Sequence, residues 1–337
     1  MREAMFYEKT GGNSVRCGLC RFRCLIADGK RGICAVRENR GGTLYTLVYG
    51  KAIAEHADPI EKKPLYHVMP GSKSYSVATV GCNFRCLHCQ NYSISQPVHD
   101  TLRITGIDLL PEEIVARALA SGCRSIAYTY TEPTIFFEYA YDTAVLAKKA
   151  GLRNIFVTNG YITPEALACI RPYLDAANID LKGFPERFYN EVVHAMLKEV
   201  LDSIVEYKRQ GIWIELTTLV IPGWNDSDED LRGIAGFIAD KVGNETPWHV
   251  SAFHPTYKLT DRPSTPLDTL RRARRFGLEA GLNYVYEGNV PGEGGENTYC
   301  PSCGETLIER HGFYLEQNSI EMGKCPACAA VIDGIEM

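Results

Sequence analysis

Between residues 74 and 280 two rhythms alternate along the chain. Short, nearly continuous apolar runs read as buried strands at 74–80, 125–130, 154–158, 176–181, 212–220 and 248–253. Each is followed by a stretch whose apolar residues recur every three to four positions, the helical period. Pro111 with Glu112 and Glu113, and Thr163 followed by Pro164 and Glu165, mark helix starts. A first-turn proline loses no helical hydrogen bond, and acids there complement the positive end of the helix. Other helices are expected over 134–150, up to Gly211, from the acidic run Asp226–Asp230 onward, and over 267–280. Six successive β/α units predict a parallel sheet with right-handed crossovers. Six are fewer than the eight that close a barrel. The expected fold class is therefore α/β, a partial (β/α)6 TIM-type barrel whose open side would admit a large substrate.

The flanks have a different texture. Residues 43–53 alternate well enough for one strand. Asp58-Pro59-Ile60-Glu61-Lys62-Lys63-Pro64 reads as an extended connector, because each proline turns its predecessor away from helix. Residues 288–297 are a glycine-rich exit. These breaks suggest an N-terminal module over 1–60, the barrel over 61–290 and a C-terminal module over 291–337.

A net charge of −5 over 337 residues gives no general attraction to nucleic acid or membrane. No apolar run reaches the length of a membrane span, and residues 1–9 lack the apolar stretch of a secretory signal. A cytoplasmic protein without a membrane partner is expected. In such a reducing compartment, thirteen cysteines are expected to bind metal rather than pair as disulfides. Eleven fall into three groups, while Cys123 and Cys169 stand alone.

The central group is Cys82, Cys86 and Cys89, spaced C-x3-C-x2-C in a loop that follows the first barrel strand. Barrel chemistry sits at such strand ends. Three thiolates can hold three irons of a [4Fe–4S] cubane and leave the fourth iron open. They suit closed tetrahedral zinc poorly, because a fourth ligand is missing nearby. The first group, Cys17, Cys20, Cys24 and Cys34, has four thiols among glycines and basic residues and suits a metal-stapled knuckle. Zinc is its simpler occupant and a second iron–sulfur cluster the rival. The last group pairs Cys300-Pro301-Ser302-Cys303 with Cys325-Pro326-Ala327-Cys328, the pattern of a zinc ribbon, for which rubredoxin-like iron is the alternative. Polar residues also stand at successive strand ends: Glu132, Thr158 and Asn159, Asp180 and Lys182, and His254. Alternation places Asp180 and Lys182 on one face, where they can pair.

The cysteine spacing, with Phe84 inside it, resembles the signature of the radical S-adenosylmethionine (radical SAM) superfamily. The strand-end series is similar to that of pyruvate formate-lyase activating enzymes and other activators of glycyl-radical enzymes. The four-cysteine module, the 58–64 connector, Tyr130-Thr131-Glu132-Pro133-Thr134 and the ribbon together resemble radical SAM proteins of the AmmeMemoRadiSam system, over nearly the whole chain. The resemblance implies that SAM chelates the open iron and that Glu132 holds its amino group. Thr158, Asn159, Asp180, Lys182 and His254 would hold its carboxylate, ribose or adenine. Glu215 stands on the fifth strand where those enzymes often carry an arginine. The implied activity is reductive cleavage of SAM to a 5′-deoxyadenosyl radical that abstracts hydrogen from a substrate. A flavodoxin- or ferredoxin-like electron donor and a protein or peptide substrate are implied. Modification of a small molecule or RNA, and a non-catalytic iron–sulfur and zinc scaffold, are the rival readings.

Overall fold

A computed structural model describes residues 1–337, which divide into two compact units. The first comprises Met1–Asp58 and Lys73–Ala176, the second Pro59–Ser72 and Ala177–Met337. The N-terminal cysteines thus belong to the same unit as the first half of the β/α series, and the ribbon to the same unit as the second half. The composition break near residue 60 falls at a division between the units, at Asp58 and Pro59, while the one near 290 lies inside the second unit.

In the first unit, strands β1 (Ala54–Pro59), β2 (Lys73–Ala78), β3 (Ser125–Tyr128) and β4 (Arg153–Thr158) lie side by side in chain order. β2, β3 and β4 are parallel. All four residues of β3 are buried, as expected of a parallel strand covered on both faces. Helix α1 (Pro111–Ala120) begins at the proline and two acids singled out above, and Glu113 accepts from the Leu110 N–H at 2.8 Å. A 3₁₀ turn over Pro133–Phe136 leads into α2 (Phe137–Lys149). In α3 (Pro164–Ile170), the Thr163 hydroxyl caps the Ala166 N–H as the N-cap reading requires.

The second unit continues the alternation: β5 (Ala176–Asp180), α4 (Leu197–Arg209), β6 (Trp213–Val220), α5 (Asp228–Phe237), β7 (Trp248–Ala252) and α6 (Leu267–Glu279). Asp228, Glu229 and Asp230 form the first turn of α5 behind a Ser227 cap, so this acidic run serves the helix end. Six β/α units stand in succession and the α/β expectation holds. Two local expectations change. Residues 43–53 are two short strands, Thr43–Thr46 and Lys51–Ala52, because Gly50 turns the chain at φ +69°. An additional parallel strand, β8 (Val285–Gly288), flanks β7. It is too short to register as an apolar run.

The 58–64 connector contributes more than length. Asp58 accepts from the Ser76 hydroxyl at 2.8 Å in the first unit. In the second unit, Glu61 is buried and accepts from the Gly71 N–H at 2.8 Å, with Arg310 Nε 3.8 Å away. Nearby His67 is fully buried between Tyr286 Oη (2.6 Å from Nε2) and the Asp333 carbonyl (2.7 Å from Nδ1). A neutral ring donating through Nδ1 and accepting through Nε2 satisfies both contacts. Burial pushes its pKa down from 6.5 to about 4. The unfolded chain therefore binds a proton that the fold refuses between those values. His67 contributes nothing unfavourable above pH 6.5, and stability is lost as pH falls from 6.5 towards 4, by up to about 3 kcal/mol. Urea unfolding of wild type and His67→Asn across this window should show a steeper acid loss in wild type. Parallel pH profiles would refute this.

Candidate functional site

The loop after β2 starts at a constrained point. Gly81 has φ +102°, and a Cβ there would lie 2.8 Å from Val36 Cγ1, so a glycine is required. Cys82 and Cys89 are partly exposed and Cys86 is buried. The Phe84 N–H points to Cys82 Sγ at 3.4 Å, and Ser95 Oγ lies 3.2 Å from Cys89 Sγ. Asn159 Nδ2 donates to Asn83 Oδ1 at 2.8 Å and lies 3.9 Å from Cys82 Sγ. The Asn83 Nδ2 is itself buried without an acceptor. Burial first, then the negative charge of Glu132 and the neighbouring thiols, push the Cys82 thiol well above its usual pKa. A buried thiol of this kind gives up its proton when a cation replaces it. Three soft ligands and an orphaned amide donor fit a [4Fe–4S] cluster with one iron left for a small molecule.

Glu132 is 1% exposed and accepts four hydrogen bonds. Its Oε1 accepts from the Thr134 N–H (2.9 Å), the Thr134 hydroxyl (2.5 Å) and the Thr158 hydroxyl (2.8 Å), and its Oε2 accepts from the Asn159 N–H (2.8 Å). A carboxylate offers about four acceptor positions, two on each oxygen; three donors crowd Oε1 and one uses Oε2. Burial raises its pKa while these bonds oppose the rise. Glu132 caps the turn that opens α2 and clamps the end of β3 to the Thr158-Asn159-Gly160 turn after β4. Oε2 thus keeps one acceptor position beside the Asn159 N–H. Thr158 and Asn159 are drawn into the same clamp, with Asn159 reaching the cluster loop.

The four N-terminal thiols line one pocket that is partly open to solvent. Leu19, Ile26, Ile33 and Ile135 complete its apolar wall. Backbone N–H groups of Phe22, Ile33 and Val36 serve the sulfurs of Cys20, Cys24 and Cys34. Burial pushes the Cys34 thiol up to about 12.

The remaining strand-end residues lie in the second unit. Lys182 Nζ pairs with Asp180 Oδ2 at 2.9 Å, as alternation required. Both side chains keep some exposure, 16% and 34%. His254 is exposed, with Nδ1 3.1 Å from Ser264 Oγ. Asn225 escaped the sequence reading. Its amide donates to the Lys182 carbonyl (2.6 Å) and the Leu219 carbonyl (2.9 Å) and accepts from the Ile221 N–H (2.6 Å), tying the end of β5 to the end of β6. No periodicity flags such a residue. Glu215 is also buried, and accepts from the Tyr66 and His67 N–H groups (2.9 and 2.8 Å), Trp213 Nε1 (3.3 Å) and His249 Nε2 (2.7 Å). These donors, led by His249, outweigh its desolvation and hold its carboxyl below the usual range. It is a structural anchor within this unit.

In the ribbon, Thr298–Tyr299, Thr306–His311 and Tyr314–Asn318 form an antiparallel sheet that presents two cysteine knuckles. Cys300 and Cys328 sulfurs are 3.6 Å apart, Cys303 and Cys325 sulfurs 3.7 Å, and all four lie within 4.8 Å of one another. A tetrahedral ion with metal–sulfur bonds of about 2.3 Å requires about 3.8 Å between sulfurs. Against desolvation, the N–H groups of Cys303 and Ser302 draw the Cys300 thiol down to about 7. The four form a metal-binding group. No helix is long and apolar enough to cross a membrane.

With the geometry in place, comparison with known proteins is informative. The model of the radical SAM superfamily matches residues 76–234. An uncharacterized protein of Methanocaldococcus jannaschii is 50% identical over 335 residues, 99% of each chain. The pyruvate formate-lyase 1-activating enzyme of Escherichia coli K12 is 24% identical over 178 residues, 52% of this chain and 71% of that enzyme. In fold, the chain is similar to Streptococcus suis SuiB bound to S-adenosylmethionine, with a TM-score of 0.51 and 13% identity over 68% of this chain and 53% of that one.

Proposed function

The chain belongs to the radical SAM superfamily, and from that premise we propose that it cleaves SAM reductively and uses the resulting radical to abstract hydrogen from a protein or peptide. The observation that carries the first half is the Cys82–Cys86–Cys89 loop, with three soft ligands and an unsatisfied buried amide at the end of β2. A [4Fe–4S] cluster held there would supply one-electron chemistry for reductive cleavage of the SAM sulfonium. The chain's own residues do the rest. Cys82, Cys86 and Cys89 hold three irons. Asn159 and the Phe84 N–H stabilise negative charge on the Cys82 sulfur. Glu132 fixes the turn that aims Asn159. Within the second unit, Asp180 orients the Lys182 cation at a strand end, and His254 stands at another strand end of that unit. The electron comes from a flavodoxin- or ferredoxin-class donor. The ribbon cysteines hold zinc as a structural clip.

A polypeptide substrate is favoured by the similarity to an enzyme named for activating another enzyme. The test is anaerobic. Reconstituted protein with SAM and dithionite is expected to release 5′-deoxyadenosine and methionine in equal amounts. Loaded, SAM-bound protein that releases neither, with or without a polypeptide substrate, would overturn the reading.

A further inference from the structure

The two closed cysteine sets of this protein are built to different scales. In the ribbon, opposed sulfurs stand 3.6 and 3.7 Å apart, the separation a single tetrahedral ion sets. Cys17, Cys20, Cys24 and Cys34 instead line a pocket that opens to solvent, and the gathering of donor atoms within 4.8 Å belongs to the ribbon four. One zinc ion reaches its ligands at about 2.3 Å and leaves no cavity among them.

The wall of this space is also unusual for a zinc knuckle. Leu19, Ile26, Ile33 and Ile135 are apolar, and Arg37 joins them. Arg37 is 1% exposed. One of its terminal nitrogens is committed to Glu138 Oε1 at 2.7 Å and to the Met5 carbonyl at 2.7 Å. Its Nε–H, buried with the rest, has no acceptor. An unsatisfied buried donor is costly, on the order of 1–3 kcal/mol. An occupant that carries its own acceptor atoms would remove that cost. A zinc site offers only its ligand thiolates, whereas a cubane adds sulfides that accept hydrogen bonds and tune its potential.

We propose that Cys17, Cys20, Cys24 and Cys34 hold a second iron–sulfur cluster of the [4Fe–4S] type, closed by four thiolates, with Arg37 Nε–H donating to it. This replaces the zinc that the spacing alone favoured. All four ligands are protein thiolates, so no iron is left for SAM, which separates this group chemically from the one at Cys82. The two groups are near neighbours. Ile135 lines the cavity, and its Cδ1 would be 3.2 Å from a Cβ at Gly81, the residue before Cys82. The Cys34 carbonyl would be 3.4 Å from the same atom.

The test uses the full chain with Cys82, Cys86 and Cys89 all changed to Ala, reconstituted anaerobically and desalted. It should retain about four irons and four acid-labile sulfides per chain, with a cubane Mössbauer signature. Adding Cys20→Ser and Cys34→Ser should remove both. Iron without sulfide, or an iron-free triple variant that circular dichroism shows to be folded, would overturn the assignment. Wild-type protein, which needs no substitution, gives an independent reading. Its zinc content should be about one per chain, from the ribbon, and about two would refute the proposal. Because the triple variant lacks the SAM-binding thiols, its result stands apart from whether SAM is cleaved.

Discussion

Changing Cys86 to Ala is expected to abolish 5′-deoxyadenosine formation and to lower bound iron by about four per chain, while the ribbon keeps its metal. Cys86 is the most buried thiol of its loop, 7% exposed. Its neighbours would survive the change, because the bonds from Phe84 to Cys82 and between Ser95 and Cys89 do not involve it. The loop would therefore keep its course and lose one ligand of three. Two thiolates cannot retain a cubane that already has an open iron. The change removes one sulfur and leaves a small void, so it should cost stability far less than it costs chemistry. Cys123→Ala is the matched control. That thiol is also buried, in the same unit, but belongs to none of the three groups. Its variant should cleave SAM at the wild-type rate. Liquid chromatography of the nucleoside product, with iron and zinc counted on the same samples, decides the matter. Equal SAM cleavage by the Cys86 variant would remove the cluster from its assigned loop.

How far the chain was readable in advance depended on what each feature needs. The β/α alternation rests on periodicity, which local sequence carries, so the six units appeared with their strands within a few residues. The ribbon rests on two knuckles whose spacing and turns are local. Val285–Gly288 rests on pairing with β7, which four residues do not announce. The break at Gly50 rests on one positive φ inside a run that otherwise alternates. At the site, residue type and position identified Glu132 as a strand-end carboxylate, but not that Thr134, Thr158 and Asn159 would already occupy it. That is a property of donors brought together from two strands. The same limit applies to the N-terminal cysteines. Their spacing permits four ligands to one centre and does not state how far apart the sulfurs stand, which is what separates one ion from a cluster.

Removing the Glu215 carboxylate is expected to give the largest loss of stability of any single change in the second unit. Glu215→Ala leaves the Tyr66 and His67 N–H groups and His249 without their acceptor, all in a region closed to water. Breaking one side of a buried polar pair typically costs about 3–5 kcal/mol, more than the pair itself is worth, because the stranded partner stays desolvated. Glu215→Gln keeps the shape and one acceptor oxygen but turns an amide N–H₂ towards donors, so it should cost less, about 1–3 kcal/mol. All three tryptophans, Trp213, Trp224 and Trp248, lie in this unit, so their fluorescence during urea unfolding reports on it directly. The order wild type, then Gln, then Ala in denaturation midpoint is the expected result. A competing role exists, since Glu215 occupies the position where activating enzymes often place a SAM-binding arginine. A carboxylate that is 0% exposed and holds four donors has no face left for a ligand. The Gln variant, held well below its unfolding transition, should therefore bind SAM as wild type does. Weakened SAM binding with an unchanged midpoint would assign Glu215 to the ligand instead. A shifted midpoint with unchanged SAM binding would leave it as the post on which β6, β7 and the 66–67 segment are hung.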